Sequence, residues 1–162
     1  MYVCVMRHGK AEPFNKDKND KDRMLTEVGE QQCERMASLA KRWWPAGTSS
    51  LWVSPYIRAC QSAAYLKKYI DFDSFHTHQA IADGNLDKVY ADILSQETAD
   101  VVCLVGHSPF IDKWAEAWTG YFVDYKPGSI ALYEYDPFSG KAGSGKLLMY
   151  LNPKAAQLLD RM

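Results

Sequence analysis

The sequence has almost no net charge. Its 19 Lys and Arg residues nearly balance its 20 Asp and Glu residues, which leaves a formal net charge of −1. A protein that binds nucleic acid over a broad surface needs a clear excess of basic side chains, so this class of function is excluded. The balance still leaves room for a small pocket that is basic only locally.

Long apolar runs and closely spaced cysteines are also missing. No apolar run approaches the roughly 20 residues that cross a bilayer, and the first five residues form a strand pattern, not a targeting segment. We therefore expect a cytoplasmic protein with no membrane partner.

The four cysteines lie at positions 4, 33, 60 and 103, and no two of them form a CxxC pair. This spacing excludes metal knuckles and thioredoxin-type sites. We expect reduced thiols that pack as small hydrophobic groups.

Strand-like and helix-like patterns alternate along the 162 residues, a length that suits a single domain over residues 1–162. The apolar and turn signals predict strands near 2–7, 51–53, 75–78, 101–106, 129–135 and 147–151, and helices over 26–44, 55–69, 86–96 and 109–120. Ser54 and Ser108 are the predicted caps of the second and fourth helices, Arg58 lies in the first turn of the second, and the charged segment 15–23 is expected to be a solvated loop. Continuous apolar strands with intervening helices predict an α/β fold whose mostly parallel sheet is covered on both faces. The last two strands indicate an antiparallel hairpin added to it.

Basic and imidazole side chains follow three of the predicted strands. These segments are Arg7-His8-Gly9, Ser54-Pro55-Tyr56-Ile57-Arg58 and Gly106-His107-Ser108-Pro109. Open α/β sheets bind ligands at the carboxyl ends of their strands, and the helices that begin there favour an anion. Guanidinium groups bind phosphoryl oxygens, and an imidazole can attack phosphorus. The pattern predicts a phosphate pocket that contains a candidate nucleophile.

Each of these residues has a simpler interpretation when it is taken alone. A histidine at a strand end is more often a structural residue, and a single arginine is usually a surface charge. Four such groups at one sheet edge favour a functional site, because clustered cations cost energy unless an anion or a carboxylate compensates for them.

The motifs, taken in order, resemble the histidine phosphatase superfamily. They are Arg7-His8-Gly9, Leu25-Thr26 with Gly29, Val53-Ser54-Pro55 followed by Arg58-Ala59 and Gln61-Ser62, and Val105-Gly106-His107. The small size and the segment from Asp22 to Thr26 are most similar to the phosphohistidine phosphatases of this superfamily. The resemblance implies a three-layer α/β/α sandwich of the phosphoglycerate mutase-like type, with a mostly parallel mixed sheet and no large insertion.

The resemblance also implies roles for individual residues. His8 would be the nucleophile that takes up the phosphoryl group, and Arg7, Arg58 and His107 would complete the phosphate pocket, with Gly9 beside them. Arg23 is a candidate for the pocket rim, with a solvated loop charge as the alternative. Because cationic side chains neutralise the phosphoryl group, we expect no metal and no cofactor.

A general acid is harder to identify. Asp83 is the only carboxylate between residues 81 and 85, where larger members of the superfamily carry their acid, and a cap for the next helix is its alternative role. Glu12 is the other candidate. An imidazole leaves more easily than an alkoxide, so a weak or missing acid favours phosphohistidine as the substrate. The short connection over residues 70–99 favours an open site that admits a protein.

Two other motifs do not indicate sites. The segment from Gly140 to Lys146 fits a phosphate-binding loop, but Leu147 replaces the required Ser or Thr and a strand follows in place of a helix. His76 and His78 form a possible metal pair without a third ligand, so we interpret them as surface or edge residues.

Three functions remain open at this point. The first is a phosphatase that acts on a phosphohistidine-bearing protein such as a phosphotransfer domain. The second is a phosphatase of a small phosphorylated metabolite, and the third is a module that binds phosphate without turnover.

Overall fold

The computed structural model describes all 162 residues and contains one mixed six-stranded sheet. The strands are β1 (Tyr2–Arg7), β2 (Ser49–Val53), β3 (Ser74–Thr77), β4 (Val101–Gly106), β5 (Ile130–Tyr135) and β6 (Gly145–Leu151). Their order across the sheet is β3-β2-β4-β1-β5-β6. The first four strands in this order are parallel, and β5 and β6 are antiparallel to their neighbours. The predicted parallel sheet with an added antiparallel hairpin is confirmed.

Six α-helices cover the sheet. They are α1 (Glu27–Ala40), α2 (Ile57–Tyr69), α3 (Gln79–Asp83), α4 (Leu86–Val89), α5 (Phe110–Thr119) and α6 (Pro153–Leu159). One hydrophobic cluster joins the sheet to α1, α2 and α6, and a second joins its other face to α3, α4 and α5. This is the expected three-layer sandwich, and no large insertion interrupts it.

The two strands that precede His8 and His107 lie in the middle of the sheet because their sequences are apolar on both faces. Residues 3–6 of β1 and residues 101–105 of β4 are fully buried. The two strands pair in parallel, with Cys4 opposite Cys103 and Arg7 opposite Gly106. This register brings His8 and His107, which follow the two strands, to the same edge of the sheet.

Several predicted boundaries were wrong. Helix α2 begins at Ile57, with Tyr56 at its cap, and not at Pro55. Helix α5 begins at Phe110, because Pro109 occupies the capping position that was predicted for Ser108. Arg58 still lies in the first turn of α2, as predicted. The helix predicted over 86–96 consists of α4 and a π-helical turn over Tyr90–Leu94.

Short elements escaped prediction altogether. Helices α3 and α6 were not predicted, and neither was the 3₁₀ turn over Asp20–Asp22, which lies in a segment expected to be a solvated loop. Asn19 caps this turn by accepting a hydrogen bond from the Lys21 backbone N–H. No helix is both long and apolar enough to cross a membrane.

Candidate active site

A cavity of about 260 Å³ opens where β1 and β4 end. Its wall consists of Arg7, His8, Gly9, Lys10, Ala11, Arg23, Arg58, His107, Ser108 and Pro127. Four of these side chains are Lys or Arg and none is a carboxylate, so the cavity suits an anion. The lining of a larger groove beside α1 and α2 includes Glu27, Glu30, Glu34 and Asp160, and these carboxylates repel an anion.

His8 is buried at the base of this cavity and is only 8% exposed. Its Nδ1 lies 2.7 Å from the Gly9 carbonyl oxygen, and its Nε2 lies 3.2 Å from Nε of Arg58. Because the guanidinium nitrogen can only donate, Nε2 of His8 must accept with its lone pair and Nδ1 must carry the proton. The geometry therefore selects one tautomer of the neutral ring.

The electrostatic surroundings keep His8 neutral. Burial lowers the pKa of His8 to about 3, and the hydrogen bond to Gly9 offsets part of this effect. The nearby His107 and the positive charges of Arg58 and Arg7 lower the pKa further. At neutral pH the ring thus has no proton on Nε2.

Arg58 is held against the 3₁₀ turn. Its Nη1 donates to the Asp20 carbonyl oxygen at 2.7 Å, and its Nη2 donates to the Asp20 carboxylate at 3.1 Å. The Tyr56 ring lies under the guanidinium, 5.0 Å from its central carbon. These contacts leave Nε of Arg58 directed at His8.

The Asp20 carboxylate also binds Arg23. Nε of Arg23 lies 2.7 Å from the second carboxylate oxygen, and its Nη1 donates to the Glu12 carbonyl oxygen at 2.8 Å. Although burial acts in the opposite direction, hydrogen bonds from Arg23 and Arg58 lower the pKa of Asp20. The carboxylate compensates for two guanidinium charges that would otherwise repel each other. Sequence reasoning missed Asp20, and its only signal was its position three residues before Arg23.

Arg7 enters the cavity from the end of β1. Its Nη1 donates to the Tyr125 carbonyl oxygen at 2.7 Å, while its buried Nε has no partner within the protein. Burial lowers the pKa of Arg7, and the carboxylates of Asp112 and Asp124 oppose that shift. Asp112 is itself buried and accepts from the Tyr125 N–H at 2.8 Å. The backbone of Tyr125 therefore connects this carboxylate to Arg7.

His107 lies across the cavity, with its ring centre 5.1 Å from that of His8. Its Nε2 lies 2.7 Å from Oγ of Ser54, a fully buried residue at the end of β2. Burial lowers the pKa of His107 to about 4, and Arg58 is the largest charged contributor. Ser54 was predicted to cap α2; it instead binds His107 and accepts from the Tyr56 N–H at 3.3 Å.

Sequence and structure comparisons agree with this geometry. The sequence profile of the histidine phosphatase superfamily (branch 1) matches residues 3–87, just over half of the chain, and this range includes Arg7, His8 and Arg58. The chain belongs to the histidine phosphatase superfamily. It is therefore a phosphatase. No curated protein matches it in a sequence search.

Solved structures similar to this histidine phosphatase share its fold at low sequence identity. The protein histidine phosphatase SixA in complex with tungstate is 22% identical, with a TM-score of 0.82 and coverage of 95% of this chain and 98% of that one. A SixA protein from Agrobacterium tumefaciens is 21% identical, with a TM-score of 0.79 and coverage of 94% and 97%. A phosphoserine phosphatase from Entamoeba histolytica, in complex with 3-phosphoglyceric acid, is 15% identical, with a TM-score of 0.61 and coverage of 92% and 95%.

Both acid candidates lie outside the cavity wall of this histidine phosphatase. Asp83 is exposed at the end of α3, where its carboxylate accepts from Nε2 of Gln79 at 2.9 Å. It does not cap the next helix, because Asn85 does so. Glu12 accepts from Nζ of Lys18 at 2.7 Å and from the Met24 N–H at 3.2 Å.

The remaining histidines lie on the edge strand β3 and beyond it, as predicted. His76 stacks on Trp52 with ring centres 4.3 Å apart. His78 caps α3 through Nδ1 and contacts Asp92 at 3.2 Å through Nε2.

The segment from 140 to 146 forms the turn into β6. The strand β6, and not a helix, follows this turn, which agrees with the rejection of a phosphate-binding loop there.

Proposed function

We propose that this histidine phosphatase hydrolyses phosphohistidine on a protein and that His8 forms the covalent intermediate. In the first step, the Nε2 lone pair bonds to phosphorus and the bond from phosphorus to the substrate imidazole breaks. The departing nitrogen keeps the electron pair and takes a proton from solvent. In the second step, a water oxygen bonds to phosphorus, the water loses a proton to solvent, and the bond to Nε2 breaks with its electrons returning to His8.

The protonation state and the position of His8 carry this proposal. The ring is neutral, its Nε2 is unprotonated and accepts from Arg58, and it lies in a cavity with Arg7, Arg58 and His107. The lone pair becomes available for attack when Arg58 turns to the phosphoryl oxygens. Guanidinium groups held in the cavity stabilise the charge of a transferring phosphoryl group. We infer that Arg7 and Arg58 bind the phosphoryl oxygens, with His107 and the Gly9 segment beside them and Arg23 at the rim.

The chemistry of the cavity wall supports an imidazole leaving group. None of the wall residues is a carboxylic acid. The Asp20 carboxylate contacts two of them, but its lowered pKa and its two guanidinium partners make it a poor proton donor. An alkoxide leaves slowly without a proton donor, whereas an imidazole departs more readily. This contrast favours phosphohistidine over a sugar phosphate.

The shape of the site supports a protein substrate. The segment between α2 and β4 contains only β3, α3, α4 and one π-helical turn, and no insertion covers the cavity. An open site admits a side chain presented on another protein. Of the two SixA proteins that share this fold, one is named a protein histidine phosphatase and the other a phosphohistidine phosphatase, which agrees with the proposal.

Substrate preference tests the proposal. The protein is incubated with a phosphotransfer domain phosphorylated on histidine and, in parallel, with phosphoserine and sugar phosphates, and phosphate release is measured. We expect the highest kcat/KM for the phosphorylated domain and none with the His8→Asn variant. Faster turnover of a sugar phosphate would establish the metabolite phosphatase instead, and binding without release would indicate a recognition module.

The sequence-based assignment of Asp83 as the general acid has its own test. If Asp83 donates a proton, Asp83→Asn lowers the hydrolysis of a phosphomonoester more than that of phosphohistidine, because the ester leaving group needs the proton. Equal rates for wild type and variant on both substrates would rule this role out. The matched control is Asp87→Asn, which removes an exposed carboxylate on the neighbouring helix α4.

A further inference from the structure

The backbone from His8 to Lys10 is held at every peptide group. The N–H of Gly9 donates to Oγ of the buried Ser62 at 3.1 Å, and the His8 carbonyl oxygen accepts from the Gly128 N–H at 2.9 Å. The Lys10 carbonyl oxygen accepts from the N–H and the hydroxyl of Thr26. The segment is therefore a fixed frame for the His8 ring.

The peptide group between Gly9 and Lys10 connects the His8 ring to Gln32. Its carbonyl oxygen contacts Nδ1 of His8 at 2.7 Å, and its N–H donates to Oε1 of Gln32 at 2.9 Å. The C=O and N–H of a trans peptide point in opposite directions in one plane. When Gln32 holds the N–H on one side, the carbonyl must face His8 on the other.

From this juxtaposition we propose that Gln32 is a positioning residue that, through the peptide between Gly9 and Lys10, keeps the proton on Nδ1 of His8 when Arg58 turns from Nε2 to the phosphoryl group. A carbonyl directed at Nδ1 requires a proton there, so Nε2 retains the lone pair. Gln32 lies on the second turn of α1 and does not line the cavity, so it acts only through the backbone. The inference rests on the proposed role of His8 as the nucleophile.

Without the Gln32 acceptor, the peptide between Gly9 and Lys10 is held only by its contact with the His8 ring and can turn between its fixed neighbours. Gly9 has no side chain to restrict this rotation, and its carbonyl then ceases to face Nδ1. Once Arg58 has turned to the phosphoryl group, the ring would populate both tautomers, and the fraction with a proton on Nε2 cannot attack phosphorus. The arginine contacts in the cavity do not involve Gln32, so the binding of the phosphoryl group would persist.

The test combines nitrogen NMR of the histidines with kinetics in Gln32→Met, which keeps the side-chain length and removes the acceptor. The chain has four histidines, so the His8 signals are assigned by their loss in His8→Asn. Arg58 also favours Nδ1–H, so the tautomer is measured in the Arg58→Met background, where we expect Nδ1–H alone with Gln32 present and a mixture once Gln32→Met is added. With Arg58 intact, we expect Gln32→Met to reduce kcat by about 10- to 100-fold and to leave KM nearly unchanged. Gln32→Ala provides a second variant, and circular dichroism confirms that both are folded.

Two controls separate positioning from a structural role. Gln32→Glu keeps the acceptor and is expected to keep the wild-type tautomer, and Gln31→Met changes an exposed neighbour and is expected to change neither measurement. An unchanged Nδ1–H signal when Gln32→Met is added to Arg58→Met, or an unchanged kcat in Gln32→Met, would overturn the inference. Wild-type turnover by His8→Asn would instead overturn the proposed function, while the tautomer of His8 in Gln32→Met would still be measurable.

Discussion

Nε of Arg58 lies 3.2 Å from Nε2 of His8 and donates to it. The contact fixes Nε2 as the unprotonated ring nitrogen and places a positive charge beside it. After burial, which is the largest cause, this charge is one of those that lower the pKa of His8.

Replacing Arg58 with Lys removes the donor that faces His8. A lysine has one compact charge and cannot contact His8, the Asp20 carbonyl oxygen and the Asp20 carboxylate at once. We expect kcat/KM for phosphohistidine to fall by about 100-fold, as when one fixed donor is lost from an active site. The matched control is Arg35→Lys, which changes a partly exposed arginine that pairs with Asp160, and its kcat/KM is expected to equal that of wild type. Similar losses in both variants would contradict the account.

Replacing Asp20 with Asn removes the charge that compensates for Arg23 and Arg58. A catalytic group that is misplaced by about 1 Å can cost roughly 100-fold in rate. Because the contact from Arg58 to the Asp20 carbonyl oxygen remains, we expect a smaller loss of kcat/KM, about 10-fold. Steady-state kinetics on a phosphohistidine protein measures the change. Asp22→Asn lies in the same 3₁₀ turn and serves as the control. Equal activity of the two variants would show that Asp20 does not position Arg58.

The pH dependence of the reaction reports the lowered histidine pKa values. Burial lowers the pKa of His8 to about 3 and that of His107 to about 4. A ring with the ordinary pKa of 6.5 would be mostly protonated at pH 5.5 and would lose about tenfold in activity, whereas these rings stay neutral. We therefore expect kcat/KM to show no fall near pH 6.5 and to decline only at lower pH.

This pH profile requires one correction, because the substrate phosphoryl group also titrates. Phosphorus NMR of the substrate alone supplies that contribution, which is then subtracted. A remaining tenfold loss centred near pH 6.5 would show that His8 is not held neutral.

The thiols are expected to differ in their reactivity. Cys4, Cys33 and Cys103 are buried, and burial raises the pKa of Cys4 and of Cys33, the latter to about 11. Cys60 is only partly buried. A thiol reagent such as Ellman's reagent should therefore modify Cys60 first in the native protein and all four cysteines in guanidinium. Rapid native modification of Cys33, which packs against Gly9, would indicate an open β1–α1 region.

Local patterns were sufficient to predict the main architecture. The apolar runs of β1 and β4 identify central strands, and each run ends at a residue that precedes a cavity histidine. Thr26 caps α1 through the Gly29 N–H, as its sequence position predicts. These features depend on neighbours within a few residues, which periodicity and capping rules describe well.

Contacts between distant segments could not be predicted in the same way. Asp20 contacts Arg58 across 38 positions, and Ser54 contacts His107 across 53. From the sequence alone, Asp20 belongs to a charged loop and Ser54 has the features of a helix cap. Their actual roles depend on how the sheet brings the ends of β1, β2 and β4 together, and local preferences do not encode that arrangement.

Covalent trapping at His8 tests the central claim most directly. The protein is mixed briefly with a phosphotransfer domain phosphorylated on histidine, the reaction is stopped by rapid quench at alkaline pH, and the phosphorylated residue is identified by mass spectrometry. The account predicts acid-labile phosphate on His8 in wild type and none in His8→Asn. Phosphate release by wild type with no label on His8 at any quench time, or a label on His107 instead, would contradict it.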